Sequence, residues 1–284
     1  MIPSAFGYER ATSVDDALAR LAASGGAGKL IAGGHSLVPL MKLRLNEPGT
    51  LIDIARIPEL SGIREVDGAI EVGAGTVHHA VATSDLLRAR CPVVAETAAT
   101  IGDPQVRNRG TLGGSVAHAD PAADYPATLL ALDAEIRIRG PRGARAVAAR
   151  DFFQNLFTVD LAGDELITAV RFAPVRAAAY AKLYQRASRF AIVGVAAALD
   201  VAGGVVRGAR LGLTGALSHA VRLTAVEDAL AGRPADADSV AAAAARAGDG
   251  LSDINADIHA GADYRRAMVG VFAQRALKAA LSRG

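Results

Sequence analysis

Short helical and strand-like patterns alternate along the first 170 residues. Thr12-Ser13 precede Val14, Ala17, Leu18 and Leu21, an apolar stripe that predicts a helix with Ser13 as N-cap and Asp16 in its first turn. Gly25-Gly26 ends it. Lys29 to Ala32 predicts a strand that runs into the loop Ala32-Gly33-Gly34-His35-Ser36. An apolar segment with Lys42 and Arg44 follows, Leu37 to Leu45, and Pro48-Gly49 turns the chain. Leu51 to Ile54 and Ala69 to Val72 read as strands, and 77–90 and 93–101 as helices. Glu135-Ile136-Arg137-Ile138-Arg139 alternates strictly, the mark of a half-exposed strand. Asp151-Phe152-Phe153 opens a loop-rich connection, and Glu165 to Phe172 is a strand ended by Pro174. Mixed elements of this kind predict an α+β domain, not a regular βαβ series.

The texture changes near residues 173–178. Stretches 179–183, 191–201 and 205–213 predict three strands, with Gly203-Gly204 as a hairpin signal. Helices at 223–231, 238–247 and 263–282 complete the chain. At 284 residues the chain has room for two domains.

Composition narrows the function. A formal charge of +2 is too small to argue for nucleic acid or an anionic membrane. The longest apolar run, Ala191 to Leu199, is stopped by Asp200 well short of a bilayer span. Met1-Ile2-Pro3-Ser4 shows no basic region followed by an apolar run, so a cytoplasmic location is expected. Cys91 stands alone, which excludes an intrachain disulfide, a zinc knuckle or a four-cysteine cluster. Beside Pro92 and apolar neighbours it reads as a buried small hydrophobe. Any metal-centred redox chemistry is expected on another chain.

Special-purpose residues concentrate between Thr100 and Pro126. Gly113-Gly114 can take positive φ, and successive amides in such a turn form an anion-binding concavity. Thr111 and Ser115 flank the pair with hydroxyls. Arg107 and Arg109 add positive charge, and Asp120 and Asp124 add carboxylates. Gly33-Gly34 stands in a similar setting with Ser36 just beyond it. Among 30 glycines one pair means little, and each loop alone fits an ordinary turn. The matched hydroxyls and surrounding charge lead us to expect that both loops close on one dinucleotide. Other motifs fail. Gly73-Ala74-Gly75 has His78 in place of the third glycine of a dinucleotide fingerprint, and Gly28-Lys29 is followed by Leu30 where magnesium needs a hydroxyl. Ser115, His118 and Asp120 lack a nucleophile elbow. His35, His78 and His79 lack a complementary carboxylate at ligand spacing, and structural histidines are expected for the adjacent pair.

The segments Lys29 to Arg44, Thr100 to Asp133 and Ala187 to Gly194 closely resemble the FAD-binding medium subunits of molybdenum hydroxylases. The nearest type is that of aerobic carbon monoxide dehydrogenase; xanthine dehydrogenase carries a related domain. The resemblance covers essentially the whole chain. It implies an FAD-binding domain over 1–175, made of two α+β lobes of the vanillyl-alcohol oxidase type that part near residue 56. It implies a C-terminal domain over 176–284, a three-stranded antiparallel sheet with helices, and a flavin between the two. Carried over, Lys29, Leu30, Ile31, Ala32, Gly33, Gly34, His35 and Ser36, with Thr111, Leu112, Gly113, Gly114 and Ser115, bind FAD. Ile101 touches its apolar part, Asp124 accepts a hydrogen bond from it, and Ile167 and Lys182 match further contacts. Ser115 stands where the second loop commonly ends in Asn, and Phe190 fills the position of an aromatic near the flavin ring.

The implied role is an electron relay. An iron–sulfur small subunit delivers electrons from a molybdopterin large subunit to this flavin, which passes them to an external acceptor, in a dimer of heterotrimers. No catalytic acid or base is required of this chain. A stand-alone flavoenzyme of the same fold and a flavin-free assembly subunit are the alternatives. Attachment at the inner face of the membrane would come only through the complex.

Overall fold

The computed structural model describes residues 1–284. Its first lobe is a parallel sheet in the order β1-β3-β2, from β1 (Gly7–Arg10), β2 (Gly28–Ile31) and β3 (Thr50–Asp53). Helices α1 (Val14–Ala23) and α2 (Leu37–Lys42) lie in the connections. The Ser13 hydroxyl accepts from the Asp16 amide at 3.0 Å and starts α1. Val14, Ala17 and Leu21 then pack on Ile52, Ile57 and Leu60 in a small core.

The second lobe is an antiparallel sheet in the order β4-β5-β10-β6-β7. It opens with the hairpin β4 (Ile63–Val66) and β5 (Ala69–Gly73). Six helices follow: α3 (His78–Thr83), α4 (Asp85–Arg90), α5 (Pro92–Thr100), α6 (Pro104–Arg107), α7 (Leu112–His118) and α8 (Asp124–Ala131). The helix expected over 77–90 is two, because Ser84 is extended and its hydroxyl accepts from the Leu87 amide, capping α4 as α3 ends. The sheet resumes with β6 (Glu135–Gly140) and β7 (Gly143–Ala148). The connection after it holds α9 (Ala149–Phe152) and the hairpin of β8 (Phe153–Asn155) and β9 (Thr158–Val159), and β10 (Leu166–Phe172) then enters the sheet centre. Alternation in β6 buries Ile136 and Ile138 while Arg139 stays out.

The C-terminal sheet contains the three long antiparallel strands that the pattern predicts, β11 (Ala178–Tyr184), β12 (Ala191–Ala202) and β13 (Val205–Thr214). A fourth, β14 (Val221–Arg222), is too short to leave a periodic signal. Gly203 and Gly204, at φ of 59° and 73°, close the β12–β13 hairpin. Helices α10 (Thr224–Leu230), α11 (Ala237–Ala244) and α12 (Ala262–Leu281) cover one face, with Val269, Phe272 and Leu277 of α12 packing on Val193, Val195 and Leu211 in one apolar cluster. The other face meets α5 and α8 of the second lobe. Gly212 is required there, since a Cβ would lie 2.0 Å from the Ala127 carbonyl oxygen. Thr214 Oγ1 donates to this seam, with the Pro121 and Ala123 carbonyls 2.8 and 2.7 Å away.

Candidate functional site

β2 ends at Ile31 and delivers the first Gly loop to the edge of its sheet. None of the five successive amides from Ala32 to Ser36 donates a hydrogen bond within the chain. Gly34, at φ 73°, makes the turn that gathers them and leads into α2. The His35 Nδ1 lies 3.1 Å from the Gly33 carbonyl and can donate to it, which ties the imidazole to its own loop. A run of free amides in a turn is a concave anion site. The residues present therefore fit the pyrophosphate of a dinucleotide. Gly33 is needed for another reason: a Cβ on it would sit 2.2 Å from the Arg109 carbonyl oxygen and 2.8 Å from Gly110 Cα. The two loops thus meet backbone to backbone.

The second loop departs from expectation. Gly113 and Gly114 do not take positive φ; they lie in the first turn of α7 behind Thr111 as N-cap. Their amides are already spent. Leu112 donates to the Thr76 carbonyl at 3.0 Å, Gly113 to the Ala74 carbonyl at 2.8 Å, and Gly114 to Thr111 Oγ1 at 3.0 Å. No anion-binding concavity of free amides forms at this pair. Gly113 is small because α7 lies against the loop after β5, where a Cβ would fall 2.4 Å from that of Ala74. What the second loop turns outward is the exposed Gly114 and the half-buried Ser115, whose hydroxyl has no partner in the chain.

Beneath the junction lies His78, 4% exposed, with Nδ1 3.3 Å from the Tyr125 hydroxyl. Its backbone amide donates to the Gly110 carbonyl at 2.9 Å, and Gly110 clears the ring, where a Cβ would stand 2.6 Å from Nε2. Burial, reinforced by the positive charges of His35 and Arg107, lowers the imidazole pKa to about 4. His79 points to solvent. Arg107 turns inward and donates to the Ile101 and Gly102 carbonyls at 2.9 and 3.0 Å, so it shapes the 101–102 turn. Lys29 is exposed on β2, near enough to His118 to join burial in lowering that imidazole's pKa.

Residues 56 and 58 positions apart in the chain, from α8 and the C-terminal sheet, come together in a buried polar cluster. Asp124, the first residue of α8, is 4% exposed, and its Oδ1 accepts from the Tyr180 hydroxyl at 2.6 Å and from Lys182 Nζ at 2.8 Å. Burial pushes the carboxyl pKa up, and Lys182 with Tyr180 acts against that. Tyr180 escaped the sequence reading; its signal was the spacing of two from Lys182 on a strand, which sets both on one face. Ile101 is half-buried where α5 ends. Leu30 packs toward the first lobe's core, and Ile31 lies beneath Gly34. Leu112 is wholly buried and Ile167 is 5% exposed, inside the central core. Phe190 is half-buried, with its ring edge-on to His259 at 5.6 Å.

Comparison with known proteins gives a consistent result. Residues 4–174 match the FAD binding domain in molybdopterin dehydrogenase, and residues 178–280 match the CO dehydrogenase flavoprotein C-terminal domain. The chain is 41% identical over 286 residues to the carbon monoxide dehydrogenase medium chain of Hydrogenophaga pseudoflava, covering 100% of this chain and 99% of that one. It is 38% identical to the 6-hydroxypseudooxynicotine dehydrogenase complex subunit alpha of Paenarthrobacter nicotinovorans, covering 100% and 97%. Among solved structures, carbon monoxide dehydrogenase from Hydrogenophaga pseudoflava, in a form lacking the Mo-pyranopterin moiety, superposes with a TM-score of 0.95 at 42% identity, covering 100% and 99%. Quinoline 2-oxidoreductase from Pseudomonas putida 86 superposes with 0.93 at 32%, covering 99% of each.

Proposed function

Since the chain belongs to the family of FAD-binding medium subunits of molybdenum hydroxylases and is their flavin-bearing electron-transfer subunit, we propose that its flavin nucleotide is held at the junction of the two Gly loops. The observation that carries this is the run of five unpartnered amides from Ala32 to Ser36. They would take the pyrophosphate, with the free hydroxyl of Ser115 as the donor from the opposite loop. Lys29 would add charge at the edge, and Ile31, Ile101, Gly114 and Asp124 would border the nucleotide. Leu30, Thr111, Leu112, Gly113 and Ile167 would support the site through packing and backbone.

The flavin supplies the redox chemistry, and the chain supplies position and electrostatics. We name no catalytic acid or base. Cys91 is wholly buried, so no covalent link to it is expected, and we propose that the FAD is held non-covalently. The proposed domain division at 175/176, with lobes parted near residue 56, is supported by the gap between β10 and β11 and by that between β3 and β4.

Small and large subunits complete the enzyme, as the multi-subunit relatives imply. We propose a dimer of heterotrimers. The relatives' names span carbon monoxide, an oxynicotine and quinoline while this chain matches each along its length, which supports our proposal that the large subunit chooses the substrate. No helix is long and apolar enough to cross a membrane. We place the chain in the cytoplasm, at the inner face of the membrane only through the complex.

The purified chain should carry FAD that is released intact on denaturation. Alone it should not oxidise a hydroxylase substrate; co-expressed with both partner subunits, its flavin should be reduced by substrate, and the complex mass should equal two heterotrimers. Rapid substrate-dependent reduction of the isolated chain would replace the relay with a self-sufficient flavoenzyme.

A further inference from the structure

Lys182 projects from β11 across the seam between the domains, and its ammonium meets three acceptors. They are the Thr100 carbonyl at the end of α5 at 3.0 Å, Asp124 Oδ1 at 2.8 Å and the Arg189 carbonyl in the β11–β12 turn at 2.7 Å. An ammonium has three N–H donors. All three are consumed inside the chain, so none remains for a cofactor atom. Asp124 is in the opposite condition. Its Oδ1 accepts from both Lys182 and Tyr180, while its Oδ2 accepts from no group of the chain. Gly194, opposite Lys182 in the strand register, makes the arrangement possible, since a Cβ there would lie 2.2 Å from the Tyr180 hydroxyl oxygen.

We propose that Lys182 is a positioning residue and not a cofactor ligand: with Tyr180 it holds Asp124 ionised in the buried seam and leaves Oδ2 as the acceptor offered to the flavin nucleotide. The inference rests on the flavin reading above. It explains why one buried cation sits where α5, α8 and the β11–β12 turn converge, since each contributes one of its acceptors. Without its cation, a carboxyl buried this deeply holds a proton at neutral pH. The ionisable groups that face Asp124 are Lys182 and Tyr180 from β11 and Tyr125 on its own helix. The neighbouring elements bring the Thr100 carbonyl, Gly194 and Thr214, none of them charged.

The test uses the full chain stripped of flavin, as wild type, Lys182→Met, Asp124→Asn, Tyr180→Phe and the Lys182→Met/Asp124→Asn double variant. FAD binding is followed by quenching of flavin fluorescence from pH 6 to 9, and thermal unfolding is followed without FAD. Wild-type affinity should be flat over this range. Lys182→Met should weaken binding by roughly tenfold or more near pH 7, recover affinity as pH rises and Asp124 ionises, and lose thermal stability over the same rise. Asp124→Asn should bind weakly and without pH dependence, and the double variant should bind no worse than Asp124→Asn. Tyr180→Phe, the variant least disturbing to the fold, should show a smaller loss with the same pH trend. A pH-independent loss in Lys182→Met that adds to that of Asp124→Asn would make Lys182 a direct ligand and overturn the proposal, as would wild-type affinity in Lys182→Met. Failure of the wild type to bind FAD would refute the flavin reading instead; the flavin-free unfolding profiles would still show whether Lys182 governs the ionisation of Asp124.

Discussion

Adding one methyl group at Gly33 tests whether the contact between the two loops builds the site. Its Cβ would lie 2.2 Å from the Arg109 carbonyl oxygen, whereas ordinary contact begins at 3.4 Å, so the loops must separate by about 1.2 Å. The obstructing atoms are backbone, and no side-chain rotation relieves them. Overpacking a close contact costs about 1–3 kcal/mol, and a backbone neighbour places Gly33→Ala at the upper end. The separation also moves the free amides of Ala32 to Ser36 relative to Ser115. Hydrogen bonds to a charged group contribute about 1.5–3 kcal/mol each, so losing two of them lowers FAD affinity by at least about a hundredfold. The control is Gly34→Ala. That residue sits at φ 73°, where an L side chain costs about 1–2 kcal/mol, but its neighbours at 3.2 and 3.4 Å are the ends of Val38 and Ile31, which can yield. Denaturant unfolding and FAD titration of the two flavin-free variants should therefore rank Gly33→Ala below Gly34→Ala in affinity. Wild-type affinity in Gly33→Ala would refute the loop-junction site.

His78 gives a pH signature. Its imidazole pKa is lowered from 6.5 to about 4, so the fold favours the neutral ring, and its contribution to stability is full above pH 6.5 and lost as pH falls toward 4. At 1.36 kcal/mol per unit this reaches about 3 kcal/mol, and His78→Phe should remove that part of the acid dependence in denaturant melts from pH 7 to 4; an unchanged profile would contradict a buried neutral ring. Gly114→Ala would crowd Thr111 Oγ1 at 2.8 Å and displace the cap, a loss of about 1 kcal/mol that the better helix propensity of alanine offsets. Global stability should stay near wild type while FAD affinity falls, and a large loss of stability would show the cap to be worth more than this. Cys91 is wholly buried with its thiol raised to about 11, so a thiol reagent at pH 7.5 should label it only after unfolding. Labelling of the folded chain at the rate of an exposed thiol would place Cys91 at the surface.

Local chemistry explains what could be read along the chain. Ser13 caps α1, Gly203-Gly204 closes a hairpin and the alternation of Glu135 to Arg139 builds β6 because each depends on neighbours a few residues away. The loop around Gly34 was legible for the same reason, since positive φ is a property of that residue. The other Gly pair was not. Gly113-Gly114 could have formed a second anion turn, but α7 instead spends its first amides on the carbonyls of Ala74 and Thr76, more than thirty residues earlier. Resemblance singled out Lys182, but its three acceptors were out of reach of the sequence, because they come from Thr100, Asp124 and Arg189 on separate elements. Residue type and spacing state which donors and acceptors exist. Which of them are already satisfied, and so unable to serve a ligand, depends on contacts between distant segments, and only the tertiary structure decides that.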